Sequence, residues 1–252
     1  MKGWQIFQHS VRQVTQNLPA ALKVSGVLYL IQAGIGLALG AQMMGVAEMG
    51  PGAMNGGHAM GLLVGNIVTL FAGVWIAVAW HRYVLLAEEP TAALPPFAGD
   101  KMGAYFLKAL LIGIAVVIVS VILGMIVGVL AMPLFSAGAG MIAMLLVALL
   151  VQVPMIFLGL RLATALPGTA IGVTHGFLAG WEATSDDWKA ILQLSVIMAL
   201  ALWVLNLISW FIFGGSLIGQ LWALIIGWPV MMVGLSVLTT LYGHYIQKRA
   251  LV

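Results

Sequence analysis

The stretch "AQMMGVAEMGPGAMNGGHAM", residues 41–60, gathers Met43, Met44, Met49, Met54 and Met60 with His58. Thioether and imidazole are ligands that suit Cu(I). The spacing is irregular and rich in glycine, and methionine is common throughout, with 15 in the chain. The simpler reading is an adaptable apolar loop that touches a partner. Copper binding at these six residues is the sharper alternative. No cofactor is expected, and no other metal site.

Three more positions carry chemistry. "AVAWHRYVLLAEEP" (77–90) ends an uncharged run with His81 and Arg82, and "LYGHYIQKRA" (241–250) holds His244 between two tyrosines. Two histidines at matching depths would suit a haem iron or a proton path. A membrane boundary is the simpler account. On it, Trp80 and Tyr83 sit in the aromatic belt and Arg82 extends toward headgroup phosphates. Arg161, in "VQVPMIFLGLRLATALPG" (151–168), lies about one turn inside a helix end. Snorkelling to the interface is the first reading, and it predicts that lysine would serve as well. Pairing with Glu88, Glu89 or Glu182, or with a substrate anion, is the alternative. Arg82 and Arg161 are thus the candidates for lipid or anion contact.

No catalytic constellation is present in the sequence. It contains no Gly-rich phosphate loop with lysine, no His-Glu-x-x-His and no Gly-x-Ser-x-Gly. It has no cysteine, which excludes thiolate nucleophiles, thiolate metal sites and disulfides. The expectation is a protein that is not an enzyme.

The elements that must position these residues follow from composition. The chain is 63% hydrophobic and 7% charged, against about 25% charged in ordinary soluble domains. Ten basic and seven acidic residues cannot cover a soluble surface of 252 residues. They are also clustered, leaving 24–47, 49–81, 109–160 and 190–247 without charge. A span needs about 20 apolar residues. The first two stretches hold one helix each and the longer two hold a pair, divided at "MPLFSAGAG" and "GGSLIG". This predicts a single all-α polytopic domain over 1–252, with spans near 22–44, 60–84, 104–130, 141–164, 189–212 and 217–245.

Residues 1–18 lack the three-part pattern of a cleavable signal. Trp4, Phe7, Val11, Val14 and Leu18 recur at helical spacing, so an amphipathic interfacial helix is expected. A second is expected over "GVTHGFLAGWEATSDDWKA" (172–190), with Ser185, Asp186 and Asp187 capping the next span. All ten basic residues fall on the side of the termini, which the positive-inside rule makes cytoplasmic. Scattered as they are, they form no patch for nucleic acid.

Inside the spans, Gly36 and Gly40, Gly61 and Gly65, and Gly124 and Gly128 have the four-residue spacing that lets helices approach closely. Gln32, Asn66, Gln152, Gln193 and Asn206 suit interhelical hydrogen bonds. No carboxylate lies within a span, which weighs against ion-coupled transport.

"AWHRYVLLAEEP", "GLRLATALPGTAIG" and "LAGWEATSDDWKAIL" together resemble segments of uncharacterised bacterial six-helix membrane proteins. Those are similar to the Yip-type families and to the membrane domain attached to some glycerophosphodiester phosphodiesterases. The resemblance implies a helical domain in the bacterial inner membrane with cytoplasmic termini, acting in membrane organisation or partner association. It carries over no catalytic residue. The functional expectation is an accessory or scaffold protein working through lateral contacts with lipid, with itself as a homo-oligomer, or with a larger membrane complex. A transporter or lipid-handling protein with its path near helices four to six is the alternative.

Overall fold

The structure, a computed structural model, describes residues 2–49, 55–90, 92–214 and 216–251, with the backbone alone at 44–49, 141, 142 and 217. The described residues are all-α. The elements are α1 (Lys2–Gln16), α2 (Leu18–Met49), α3 (Gly56–Leu86), α4 (Gly99–Ser136), α5 (Gly140–Ala163), α6 (Leu166–Ala170), α7 (Ala179–Ala183), α8 (Trp188–Phe213) and α9 (Leu217–Leu241). A π-helical turn, Tyr242–Ile246, continues α9. Six helices, α2 to α5 with α8 and α9, are long and apolar enough to cross a membrane. Hydrocarbon offers no partner to backbone N–H and C=O groups, so uninterrupted apolar stretches must satisfy them internally as helix.

The spans pack as sequential hairpins, α2 with α3 and α4 with α5, and α9 lies against α1, α3 and α8. Pro154 and Pro229 lie inside α5 and α9. Helix α4 runs on through Pro133 to Ser136, and the turn falls at Gly138, whose φ of +77° suits glycine. In the α2–α3 hairpin, Asn55 caps α3. Its side chain accepts from the His58 N–H, and His58 Nδ1 accepts from the Asn55 N–H.

Burial is uneven along the spans. Buried residues concentrate where the charges are: Val24 and Leu28 at the start of α2, Ile76 to Trp80 late in α3, Met102 and Tyr105 early in α4, Leu160 to Ala163 closing α5, Ile191 and Leu194 opening α8, and Val237 and Thr239 to Tyr242. Toward the opposite end the spans turn outward-facing side chains on most sides, among them Ile118, Ile122, Met125, Val129 and Leu130 of α4 and Trp210, Phe211 and Ile212 of α8. The charged end is the packed end.

Helix α1 forms as expected, but the face it turns to the bundle is not centred on its larger apolar stripe. Its buried face is Gly3, Ile6, Ser10 and Val14, while Trp4 and Leu18 are exposed. Gly3 decides this, because a Cβ there would meet the Ala190 carbonyl oxygen at 2.6 Å and the Leu194 nitrogen at 2.8 Å. Gly3 lets α1 close onto α8, with Val14 buried, Phe7 packed at the edge of the contact and Trp4 turned away. The segment 172–190 also departs from expectation. It forms only the single turn α7 rather than an interfacial helix, and Asp187 makes no side-chain cap to α8.

Candidate functional site: a polar layer at the charged end

Three clusters of polar side chains join the helices at the packed end. The first surrounds His81, which is fully buried. Its Nδ1 lies 2.8 Å from Thr239 Oγ1 and its Nε2 3.1 Å from the Tyr105 hydroxyl. The Thr239 hydroxyl already donates to the Leu235 carbonyl. Its oxygen therefore accepts from Nδ1–H, and Nε2 accepts from Tyr105. A neutral imidazole so placed has both nitrogens engaged and joins α3, α4 and α9. Neighbouring Trp80 is also fully buried and donates to Ser236 at 2.9 Å.

These positions correct the boundary account. Trp80 is not in an aromatic belt, because Ser236 supplies its N–H with a partner inside the bundle. His81 faces inward without Arg82, which turns to Glu88 (Nε to Oε2, 2.8 Å) and to the Ala170 carbonyl. His244 lies elsewhere, with Nδ1 on the Arg249 carbonyl oxygen at 2.9 Å. The two histidines thus keep separate partners and do not converge on one site.

The second cluster encloses Arg161, only 6% exposed. Its guanidinium stacks 3.6 Å from the Trp181 ring centroid and stands 5.6 Å from that of Phe157. Nε donates to Thr184 Oγ1 at 3.0 Å and Nη2 to the Trp181 carbonyl at 2.7 Å. Gly180 permits this approach, since a Cβ there would lie 2.5 Å from the Arg161 carbonyl oxygen. Arg161 therefore does not snorkel, and none of Glu88, Glu89 and Glu182 pairs with it. The 164–184 segment folds back over the end of α5 and takes the guanidinium as its anchor.

The third cluster fastens α1. Lys2 pairs with Asp187, which also accepts from the Tyr245 hydroxyl at 2.7 Å. The Gly3 N–H donates to Gln193 Oε1, and Ser10 Oγ lies 3.1 Å from Thr240 Oγ1. Desolvation opposes ionisation of Asp187. The hydrogen bonds from Lys2 and Tyr245 and the positive charge of Lys2 outweigh it and hold the carboxyl below its usual range. Asp187 thus serves α1 rather than the cap that its sequence context suggested.

The remaining positions separate. Gly65 is packed, because a Cβ would meet Leu39 Cδ1 at 2.8 Å, and Gly61 faces Gln42. Gly36, Gly124 and Gly128 face open space, and Gly40 approaches only Gln220. Gln152 accepts from Trp203 at 2.8 Å, and Gln32 donates to the Thr69 carbonyl. Of the methionine-rich loop, Met54 and the side chains of Met44 and Met49 lie outside the described residues. Met43 and Met60 are exposed, and His58 is engaged by Asn55. Among the described residues, no three His, Cys, Asp or Glu gather as a metal site.

Thr239, Ser236, Tyr105 and Thr184 complete these clusters, and of the four only Thr184 stands out in the sequence, for its helical spacing with Trp181 and Trp188 rather than as a partner of Arg161. Their partners lie 158, 156, 24 and 23 residues away. For the other three, the adjacent Thr239 and Thr240 in an apolar span were the one local signal. Comparison with family models, curated proteins and solved structures found no match.

Proposed function

We propose that the chain is a non-enzymatic accessory or scaffold protein of a bacterial inner membrane, with both termini cytoplasmic, that works through lateral contacts in the membrane plane. The observation that carries this reading is a pair of exposed amides. Asn66 on α3 and Asn206 on α8 are exposed on span surfaces. Each donates back to its own helix, at the Leu62 and Leu202 carbonyls. By rise along the helix, each stands about 7–8 Å from its span's centre, in the half away from the charged end. An amide facing hydrocarbon is costly without further partners, and a neighbouring helix supplies them.

The surroundings support the same reading. Gly36 is exposed and Gly124 and Gly128 are half-buried, and a Cβ at any of the three would meet no described neighbour within 4 Å, which leaves room for close approach. Gln152 instead accepts a hydrogen bond from Trp203 and Gln193 one from the Gly3 N–H, so both serve contacts between helices. Orientation rests on the ten basic residues sharing the side of the termini.

Subunit counting in lipid bilayers tests the proposal. Asn66→Leu with Asn206→Leu should lower the associated fraction about threefold to tenfold per amide, with the monomer fold retained. Gly124→Leu with Gly128→Leu should act in the same direction. A pure chain that stays monomeric, and brings down no membrane protein from native membranes, would overturn the proposal. So would solute movement in liposomes that is abolished by changing Gln152 or Asn206.

A further inference from the structure

A groove of about 420 Å³ opens at the charged end, between the first turns of α4 and the segment 169–177. Lys101 and Lys108 lie seven residues apart on α4 and so share one helical face. Both line the groove, with His175 opposite. The Lys108 ammonium donates to the His175 carbonyl at 3.1 Å and pairs with no carboxylate among the described residues. Lys101 bonds Asp100 at 2.7 Å, an acid whose side chain is 72% exposed at the lip. The groove therefore holds two ammonium groups against one solvated carboxylate.

Its walls are built closely around these groups. Gly172 has a φ of +86° and passes beneath the Lys101 stem, where a Cβ would lie 3.2 Å from Cε. Gly168 seats the His175 ring, where a Cβ would come within 2.6 Å of Cδ2, and His175 Nε2 lies 3.3 Å from the Tyr242 hydroxyl. Desolvation and the nearby Lys108 charge lower the His175 pKa. From the groove, exposed Leu107, Leu111, Ile114, Ile118 and Ile122 descend one face of α4 into the apolar part of the span.

We propose that this groove binds the phosphate-bearing headgroup of an anionic phospholipid. Lys101 and Lys108 bind the phosphate oxygens, and the acyl chains lie along the α4 stripe. A lipid fits better than a free phosphate because the cations stand at the head of a continuous apolar track. The inference depends on the groove and on membrane insertion, and it holds whether or not the chain self-associates.

Native mass spectrometry of delipidated protein provides the test, with phosphatidylglycerol, phosphatidylcholine and inorganic phosphate as probes. Phosphatidylglycerol should be retained several-fold better than phosphatidylcholine, and millimolar inorganic phosphate should not displace it. Lys101→Gln and Lys108→Gln should each lower retention about fivefold, while Lys23→Gln, outside the groove, should leave it unchanged. Lys101 is solvated enough for its variant to fold even if Lys108→Gln does not. Equal retention of the two lipids would overturn the proposal, as would lysine variants that behave like Lys23→Gln. Displacement by phosphate alone would assign the groove to a free anion and would overturn the lipid assignment.

Discussion

Replacing Arg161 with lysine and with methionine sets two accounts of that residue against each other. A snorkelling anchor needs charge and reach, so lysine should replace it and methionine should not. The structure reverses that order. Arg161 is 6% exposed and faces no carboxylate; stacking on Trp181 and hydrogen bonds to Thr184 and the Trp181 carbonyl oxygen offset its desolvation. A desolvated cation–π contact contributes about 2 kcal/mol, and a hydrogen bond from a charged donor about 1.5–3 kcal/mol. Lysine keeps the buried charge, loses the planar fork and stacks poorly. We expect Arg161→Lys to cost about 2–3 kcal/mol, from the loss of one hydrogen bond and a stacking contact that is weakened rather than abolished. Arg161→Met fills similar volume without a charge to desolvate, and should cost about 1–2 kcal/mol. For a chain of this length that is a fall in Tm of roughly 4–12 °C for lysine, with methionine milder. Thermal unfolding in mild detergent measures both, and Trp181→Leu in a double-mutant cycle isolates the stacking contribution. Lysine unfolding within about 2 °C of the parent, with methionine clearly worse, would refute the buried-anchor reasoning.

Two further outcomes are expected. A reporter active only outside the cytoplasm should work when fused after residue 136 and fail after residue 95 or 250; the reverse pattern would overturn the charge argument. The depressed pKa of Asp187 means that its bonds to Lys2 and Tyr245 stabilise the fold above the ordinary carboxylate pKa, near 3.9. That contribution should fade as pH falls through the lower, folded-state value. Unfolding curves for Asp187→Asn and the parent should therefore converge toward low pH, and a gap that stays constant would show that the carboxylate does not fasten α1.

Sequence alone determined the number and approximate place of the spans. Hydrocarbon forces each long apolar run to satisfy its own backbone, and that constraint is local. It also located the turns between them, because glycine at Gly138 and Gly214 adopts a positive φ where it stands. The N-terminal helix was visible in its periodicity, but which face it buries was not. Gly3 sets that through contact with Ala190 and Leu194, close to 190 residues away. The same limit explains the aromatic and charged positions. Trp80, His81 and Arg161 each sit where an interfacial residue would sit, and the local sequence is compatible with that role. Only tertiary packing supplied Ser236, Thr239, Tyr105, Thr184 and Trp181 as partners, and with them the decision to turn inward. A polar side chain near a span end can meet either headgroups or another helix at comparable cost. The choice is made by whichever distant hydroxyl, carbonyl or ring the fold brings within about 3–4 Å.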